Sequence, residues 1–419
     1  MTTRITRFTN GLLSIGGQLS EGDLYVDTLT GKIILYRDAH SLSAVTDVQT
    51  VDLSGRILAP GFIDVQLNGH LGMDFSTPGP DYATDLRRVK KHLLQTGVTS
   101  FLPTISSQSP EVYEHTLPHL GADQDRNPED GAESLGAHCE GPFINPAKCG
   151  IHKSEVLQTA GDINTLETCY GREHLRKAVI KMITMAPELD ISKTMISELS
   201  RRGIVVSMGH SAATYEQAIE AVDQGSTMIT HLYNAMSQTH HRDPGIVGLL
   251  GSSDIERPWY SMIADGLHMH PAMATLAYNA YPEGCCLITD AQSVTGLCDG
   301  RYAWTNGEYF IKKGESVLLE RTGGLAGSAV TLLSCLNNLI SWTGVSTSTA
   351  LRTVTSNPAS MLGLEGIKGT LSLGGDADLV ILSHHNQKLV VDEVWKFGVL
   401  VYSRQANESS ANNPSIDAG

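Results

Sequence analysis

Apolar runs of five to eight residues alternate with helix-patterned stretches through the middle of the chain. The runs are FIDVQL (62–67), VTSFLPT (98–104), SLGAHCE (134–140), IKMITMAP (180–187), IVVSMGH (204–210), STMITH (226–231), WYSMIAD (259–265) and CLITD (286–290). Their length and bounding turns suit strands buried on both faces. Between several of them lie amphipathic segments. YATDLRRVKKHLLQTG and SKTMISELSRRG each end in Gly, a common helix stop, and TYEQAIEAVDQG follows Thr214, a residue type that caps helix N-termini. Eight buried strands with crossover helices predict an α/β fold, a (β/α)8 TIM-like barrel, over residues 60–365. A doubly wound open sheet is the rival, weakened because no G-x-G-x-x-G follows the first run.

The flanks have another texture. LYVDTLTGKIILYR and AVTDVQTVDLSGRIL near the start, and GTLSLGGDADLVILS and KLVVDEVWKFGVLVYS near the end, alternate apolar and polar residues between Gly-containing turns. They predict one small β-sandwich domain assembled from residues 1–59 and 366–405. The polar residues 406–419 are expected to be a disordered tail.

Composition narrows the function classes. The 419 residues carry 30 Lys and Arg against 45 Asp and Glu, a formal charge of −15, with no Lys/Arg run. That argues against nucleic acid or an anionic membrane as partner. No stretch approaches 18 apolar residues, and the opening MTTRITRFTNGLLSIGG reads as neither a signal nor a transit peptide. The seven cysteines are scattered without a C-x-x-C pair, so a disulfide framework is not expected and a reducing, cytoplasmic setting fits.

The chemistry sits where the runs end. Glu140, His210, His231, Asp265 and Asp290 each fall at the end of one. In a barrel those positions open onto one rim, where catalytic groups gather. A core gains nothing from an unpaired ionisable group, and several in register point to a site. Glu140, His210 and His231 make a two-imidazole, one-carboxylate set with an open fourth position, the pattern of a catalytic metal. Asp290 alone reads equally as a helix cap, a fourth ligand or a proton carrier; the adjacent metal set favours the proton carrier.

At this point the residues carry a resemblance. PGFIDVQLNG, HCEGPFINPAKCGIH, MGHSAAT, THLYNAM, IADGLH, LITDA, LAGS and GTLSLGGDADLV, spread over residues 60–380, resemble the amidohydrolase superfamily and within it the N-acetylglucosamine-6-phosphate deacetylases. The resemblance implies a hydrolase of amino-sugar catabolism that releases acetate from N-acetyl-D-glucosamine 6-phosphate. It implies that Glu140, His210 and His231 hold one divalent metal, most simply Zn²⁺, that Asp290 is the acid/base, and that His152 contacts the substrate amide beside Ile151. It further implies a sugar-phosphate site built from Asn234, Ala235, Asp265, His268, Leu325, Ala326 and Gly327. Arg242 is implied to reach the phosphate in a neighbouring subunit of a homodimer; without the resemblance it reads as a solvated loop residue. Where many amidohydrolases have H-x-H and two metals, this chain has Gln66-Leu67-Asn68, which favours one metal. His70 is expected to be a surface-loop histidine, a weak second metal contact being the alternative. His40, His92, His115, His119, His174, His384 and His385 also read as surface, and residues 121–133 as an acidic surface insertion. The competing functions are an amidohydrolase for another small amide, a non-catalytic barrel scaffold, and a Schiff-base aldolase or isomerase, for which no strand-end Lys is found.

Overall fold

The computed structural model describes residues 4–35, 48–304 and 307–405. Eight strands form the barrel wall: β1 Phe62–Leu67, β2 Val98–Ser106, β3 Ala137–Glu140, β4 Ile180–Met185, β5 Val205–Met208, β6 Ser226–Ile229, β7 Trp259–Met262 and β8 Cys285–Leu287. Each of the eight expected runs is one of them. Successive strands pair in parallel from β1 to β8. The seam between β8 and β1 is closed by a single bridge, Leu67 to Ala291, and by Asp290 N–H donating to the Gln66 carbonyl at 2.9 Å. All six residues of β1 are buried. Helices cover the wall outside and side chains fill it inside, so a parallel strand has no wet face and reads as a continuous apolar run.

The helix signals operate as local chemistry predicts. Helix α1, Tyr82–Leu93, runs into a short 3-10 turn that stops at Gly97, whose φ of 88° suits glycine. Helix α2, Tyr215–Asp223, opens with a reciprocal cap: Thr214 Oγ1 accepts from Gln217 N–H, and Gln217 Oε1 accepts from Thr214 N–H.

Inside the barrel, polarity changes layer by layer toward the C-terminal ends of the strands. Leu102, Met182, Met228 and Cys286 belong to one buried apolar cluster, with Val205 packed against it. Two residues further along four of these strands come Thr104, Thr184, Thr230 and Ser207. With His138 they are linked by hydrogen bonds: His138 to Thr184 at 2.8 Å, Thr184 to Thr230 at 2.7 Å and Ser207 to Thr230 at 2.5 Å. Above them stand Glu140 and Asp290. On β2, β4, β5 and β6 the period of two carries the strand from apolar side chains to hydroxyls, and the ionisable groups lie beyond them at the mouth.

The chain ends form two further sheets. One is four-stranded, in the order Lys32–Ile34, Leu24–Asp27, Ile5–Thr9, Val48–Asp52. The other is six-stranded and joins Gln18–Glu21, Leu12–Ile15 and Ile57–Pro60 to Leu379–His385, Lys388–Lys396 and Val399–Ser403. Phe8, Leu13, Val26, Leu58, Leu379 and Trp395 share a core between them. Residues 406–419 and His40 lie outside the described residues. Among the described residues no helix is long and apolar enough to cross a membrane.

Three features depart from the sequence reading or add to it. A four-stranded antiparallel sheet, Gly300–Ala303, Tyr309–Lys313, Ser316–Leu319 and Leu325–Ser328, follows β8 and was not anticipated. His70 is not a surface residue: it is 3% exposed, and its Nε2 meets Nδ1 of the half-buried His92 at 2.8 Å. Residues 121–133 lie largely at the surface, as expected, but carry ion pairs that the sequence did not show. Asp123 pairs with Lys90 at 2.6 Å, and Glu133 joins Lys368, Lys396 and Asp378 in an ion cluster that ties the barrel to the C-terminal strands.

Candidate metal-dependent active site

Glu140 ends β3, and His210 and His231 lie just past β5 and β6. Strict alternation from Val205 and Ser207, or from Met228 and Thr230, would turn both histidines away from the axis. Both take positive φ, 49° at His210 and 31° at His231, and this break swings their imidazoles inward. Asp290 also lies in the left-handed region, at 48°. Such conformations are costly for residues other than glycine and concentrate at functional sites.

The three donor atoms converge. Glu140 Oε1 lies 3.2 Å from His210 Nε2 and 3.0 Å from His231 Nε2, and the two nitrogens are 3.0 Å apart. Tetrahedral ligands of a zinc-sized ion lie about 3.4 Å from one another, so the spacing fits. Tautomer chemistry fits as well. His210 Nδ1 donates to the Lys148 carbonyl at 2.8 Å, which leaves a lone pair on Nε2 pointing at the other donors. Burial opposes ionisation of Glu140, yet the neighbouring His210 and His231 hold its carboxyl well below the usual carboxylate range. An anionic oxygen and an imidazole lone pair crowded together are the donor set of a cation.

Asp290 faces this set from β8. Its Oδ1 accepts from Asn68 Nδ2 at 2.6 Å and from Gln66 Nε2 at 3.3 Å, and Gln66 also donates to Glu140 at 2.8 Å. Gln66 and Asn68 thus act as amide donors that fix two carboxylates. Burial, and then the charge of Glu140, push the Asp290 carboxyl up to about 6. Below it Asp64 accepts from Thr289 Oγ1 at 2.6 Å, and burial lifts its carboxyl to about 7.

His152 is held differently. Its Nδ1 accepts from Ser107 N–H at 3.0 Å and also contacts Ser107 Oγ at 2.8 Å, so the ring proton sits on Nε2. Burial, and then the neighbouring His210, depress its pKa to about 3, which keeps it a neutral donor. His268 is aimed by Asp265, which takes its Nδ1–H at 2.7 Å. Burial disfavours the Asp265 anion, but His268 outweighs it and lowers the pKa.

One pocket at the C-terminal mouth gathers most of the expected residues: Glu140, His210, His231, Asp290, His152, Ile151, Asn234, Ala235, His268, Leu325 and Gly327. Three stand outside its wall. Asp265 supports His268 from behind. Ala326, between two lining residues of one strand, points the other way into the cluster of Val294 and Phe310. Arg242 lies in an exposed loop. The described residues lining the pocket include no Lys or Arg. The sequence reading missed Ser107, Asp74, Trp304 and the holding role of Gln66 and Asn68. Only the last had a signal, the Gln-Leu-Asn occupying the H-x-H position.

The chain matches the amidohydrolase family over residues 57–401. It is 41% identical over 409 residues to an N-acetylglucosamine-6-phosphate deacetylase of Danio rerio, covering 96% of this chain and 97% of the relative. The crystal structure of N-acetylglucosamine-6-phosphate deacetylase from Pasteurella multocida superposes with a TM-score of 0.81 at 27% identity, covering 96% of this chain and all of that one. A mutant of the Mycobacterium smegmatis deacetylase in complex with N-acetyl-D-glucosamine-6-phosphate superposes with a TM-score of 0.79 at 26% identity, covering 96% of this chain and 100% of that one. With its barrel, its converging donor set and this full-length likeness, the chain belongs to the amidohydrolase family, alongside the N-acetylglucosamine-6-phosphate deacetylases.

Proposed function

We propose that this protein hydrolyses the acetamide of N-acetyl-D-glucosamine 6-phosphate, giving D-glucosamine 6-phosphate and acetate. The observation that carries the reading is one pocket holding three metal-type donors, a carboxylate with a raised pKa and a neutral imidazole donor. A divalent metal, most simply one Zn²⁺, held by Glu140, His210 and His231 would supply Lewis-acid chemistry at the amide. The chain's own groups do the rest. Asp290 has Oδ1 occupied by Asn68 and Gln66, which leaves Oδ2 to take the proton of the attacking water. It returns that proton to the departing nitrogen as the C–N bond breaks. His152, with its proton on Nε2, donates to the carbonyl oxygen as charge builds there. Asn234, Ala235, His268, Leu325 and Gly327 form the sugar's walls.

A cation is the simplest partner for a phosphate dianion, and the described residues of the pocket wall include no Lys or Arg. Arg242, on its exposed loop, is the residue we assign to that charge, reaching in from the second subunit of a homodimer. The seven free cysteines, five of them buried, accord with a cytoplasmic protein.

The test is acetate release from N-acetylglucosamine 6-phosphate by purified protein, before and after chelation and after Zn²⁺ is restored. N-acetylglucosamine, the C4-epimeric sugar phosphate and unrelated amides serve as controls. Activity that survives complete metal removal, or a preference for another amide, would refute the proposal.

A further inference from the structure

Trp304 follows the first strand of the sheet inserted after β8, and its indole is fixed from two directions. Phe310 stacks against it, with centroids 4.6 Å apart and planes 25° from parallel. Its Nε1–H donates to Asp74 Oδ2 at 3.0 Å. Asp74 comes from the loop after β1, and its other oxygen accepts from Ser76 N–H at 2.8 Å. Trp304 and Asp74 both line the active pocket together with the metal-type donors. Both also line a neighbouring cavity of about 430 Å³, bounded by Gly72, Pro78, Tyr82 and Ser293. The indole therefore stands as a partition between the two spaces.

The half-buried indole rests on the cluster of Val294 and Phe310, yet its N–H is spent on a carboxylate and it also borders the active pocket. The rest of the pocket is mostly imidazole, carboxylate and amide, with Ile151, Ala235, Ile263 and Leu325 as its aliphatic members and no other aromatic hydrocarbon ring among the described lining residues. A pyranose ring has hydroxyls around its edge and C–H groups across its faces. The complement of such a face is a flat, rigid aromatic surface, whose π cloud attracts the C–H edges and whose stiffness limits the entropy lost on binding. We propose that Trp304 is a specificity-determining residue that receives the C–H face of the sugar ring, and that Asp74 is the positioning residue that holds the indole in place. The inference rests on the sugar-phosphate reading above.

The experiment compares two phosphorylated acetamides on the metal-loaded enzyme: N-acetylglucosamine 6-phosphate and the ringless 2-acetamidoethyl phosphate, the latter as substrate or as competitive inhibitor. Trp304→Ala is expected to raise KM for the sugar at least about tenfold, with kcat within about threefold, and to leave the ringless compound's KM or Ki within about threefold. Trp304→Phe keeps a ring and should recover most of the loss. Asp74→Ala should reproduce the KM rise and shift the tryptophan emission. Asp74→Asn keeps one of the two acceptor oxygens, used by the indole N–H and by Ser76 N–H, and should give a smaller KM rise than Asp74→Ala. The Trp304→Ala/Asp74→Ala double variant should be no worse than Trp304→Ala alone. A wild-type KM for the sugar in Trp304→Ala, or equal losses on both compounds, overturns this inference while leaving the deacetylase reading in place. Wild-type protein that releases no acetate from the sugar phosphate overturns the reading, and this inference with it.

Discussion

Asn68→Ala is the sharpest probe of how the site holds its proton carrier. The Asn68 amide donates to Asp290 Oδ1 at 2.6 Å, much closer than the 3.3 Å of its companion Gln66. A hydrogen bond to a charged group is worth about 1.5–3 kcal/mol, and this one favours the ionised carboxylate. Its loss should therefore raise the Asp290 pKa further. At about 1.4 kcal/mol per pH unit, the acid limb of the pH–rate profile should move alkaline by about one to two units. The sign follows from the role: Asp290 must be ionised to accept the water proton, so raising its pKa removes active enzyme at low pH and spares it at high pH. The assay is kcat/KM for the sugar phosphate from pH 5 to 9, for wild type and variant at equal metal content. Near neutrality the variant should lose roughly two- to tenfold, rising to about ten- to a hundredfold by pH 5, and by pH 9 the rate should nearly match wild type. A rate lowered equally at every pH would refute the reasoning and make Asn68 a shape residue only. An unmoved profile would remove Asp290 from the proton-carrying role.

Other expectations follow from the same geometry. Arg242→Ala should raise KM for the phosphorylated sugar far more than for N-acetylglucosamine, with kcat little changed; equal effects on both would detach Arg242 from the phosphate. Lys396 is 1% exposed and bonds Asp378 Oδ2 at 2.7 Å and Glu133 Oε2 at 2.9 Å, so Lys396→Met removes two charge-assisted bonds, leaves Lys368 as the carboxylates' remaining ammonium partner, and should cost about 1.5–3 kcal/mol in denaturant unfolding. Activity at 25 °C should survive that change, since the cluster lies away from the pocket. Stability should also depend on pH through His70, whose pKa burial depresses to about 3. Below pH 6.5 the unfolded chain binds a proton there that the folded chain refuses, so stability falls by up to about 1.4 kcal/mol per unit between pH 6.5 and 3. A His70→Leu variant should show a flatter dependence of Tm on pH over that window.

The sequence by itself determined the barrel and the identity of its chemistry. A parallel strand covered on both faces must be a short apolar run, and eight such runs are visible without knowing how they associate. That six of them end in a polar residue is visible too, so Glu140, His210, His231 and Asp290 could be named before any distance was known. Tertiary structure alone decided how those groups are held and in which protonation state. The proton of His152 is set by Ser107, 45 residues away; Asp290 is fixed by Asn68, 222 residues away; Trp304 is anchored by Asp74 at a separation of 230. His70 passed for a loop residue because its partner His92 belongs to a helix face that the loop covers only once the chain is folded. The physical reason is the same in each case. Periodicity reports whether one element has a buried face, a property local to that element. Hydrogen-bond partners and desolvation depend on what closure of the barrel brings against it.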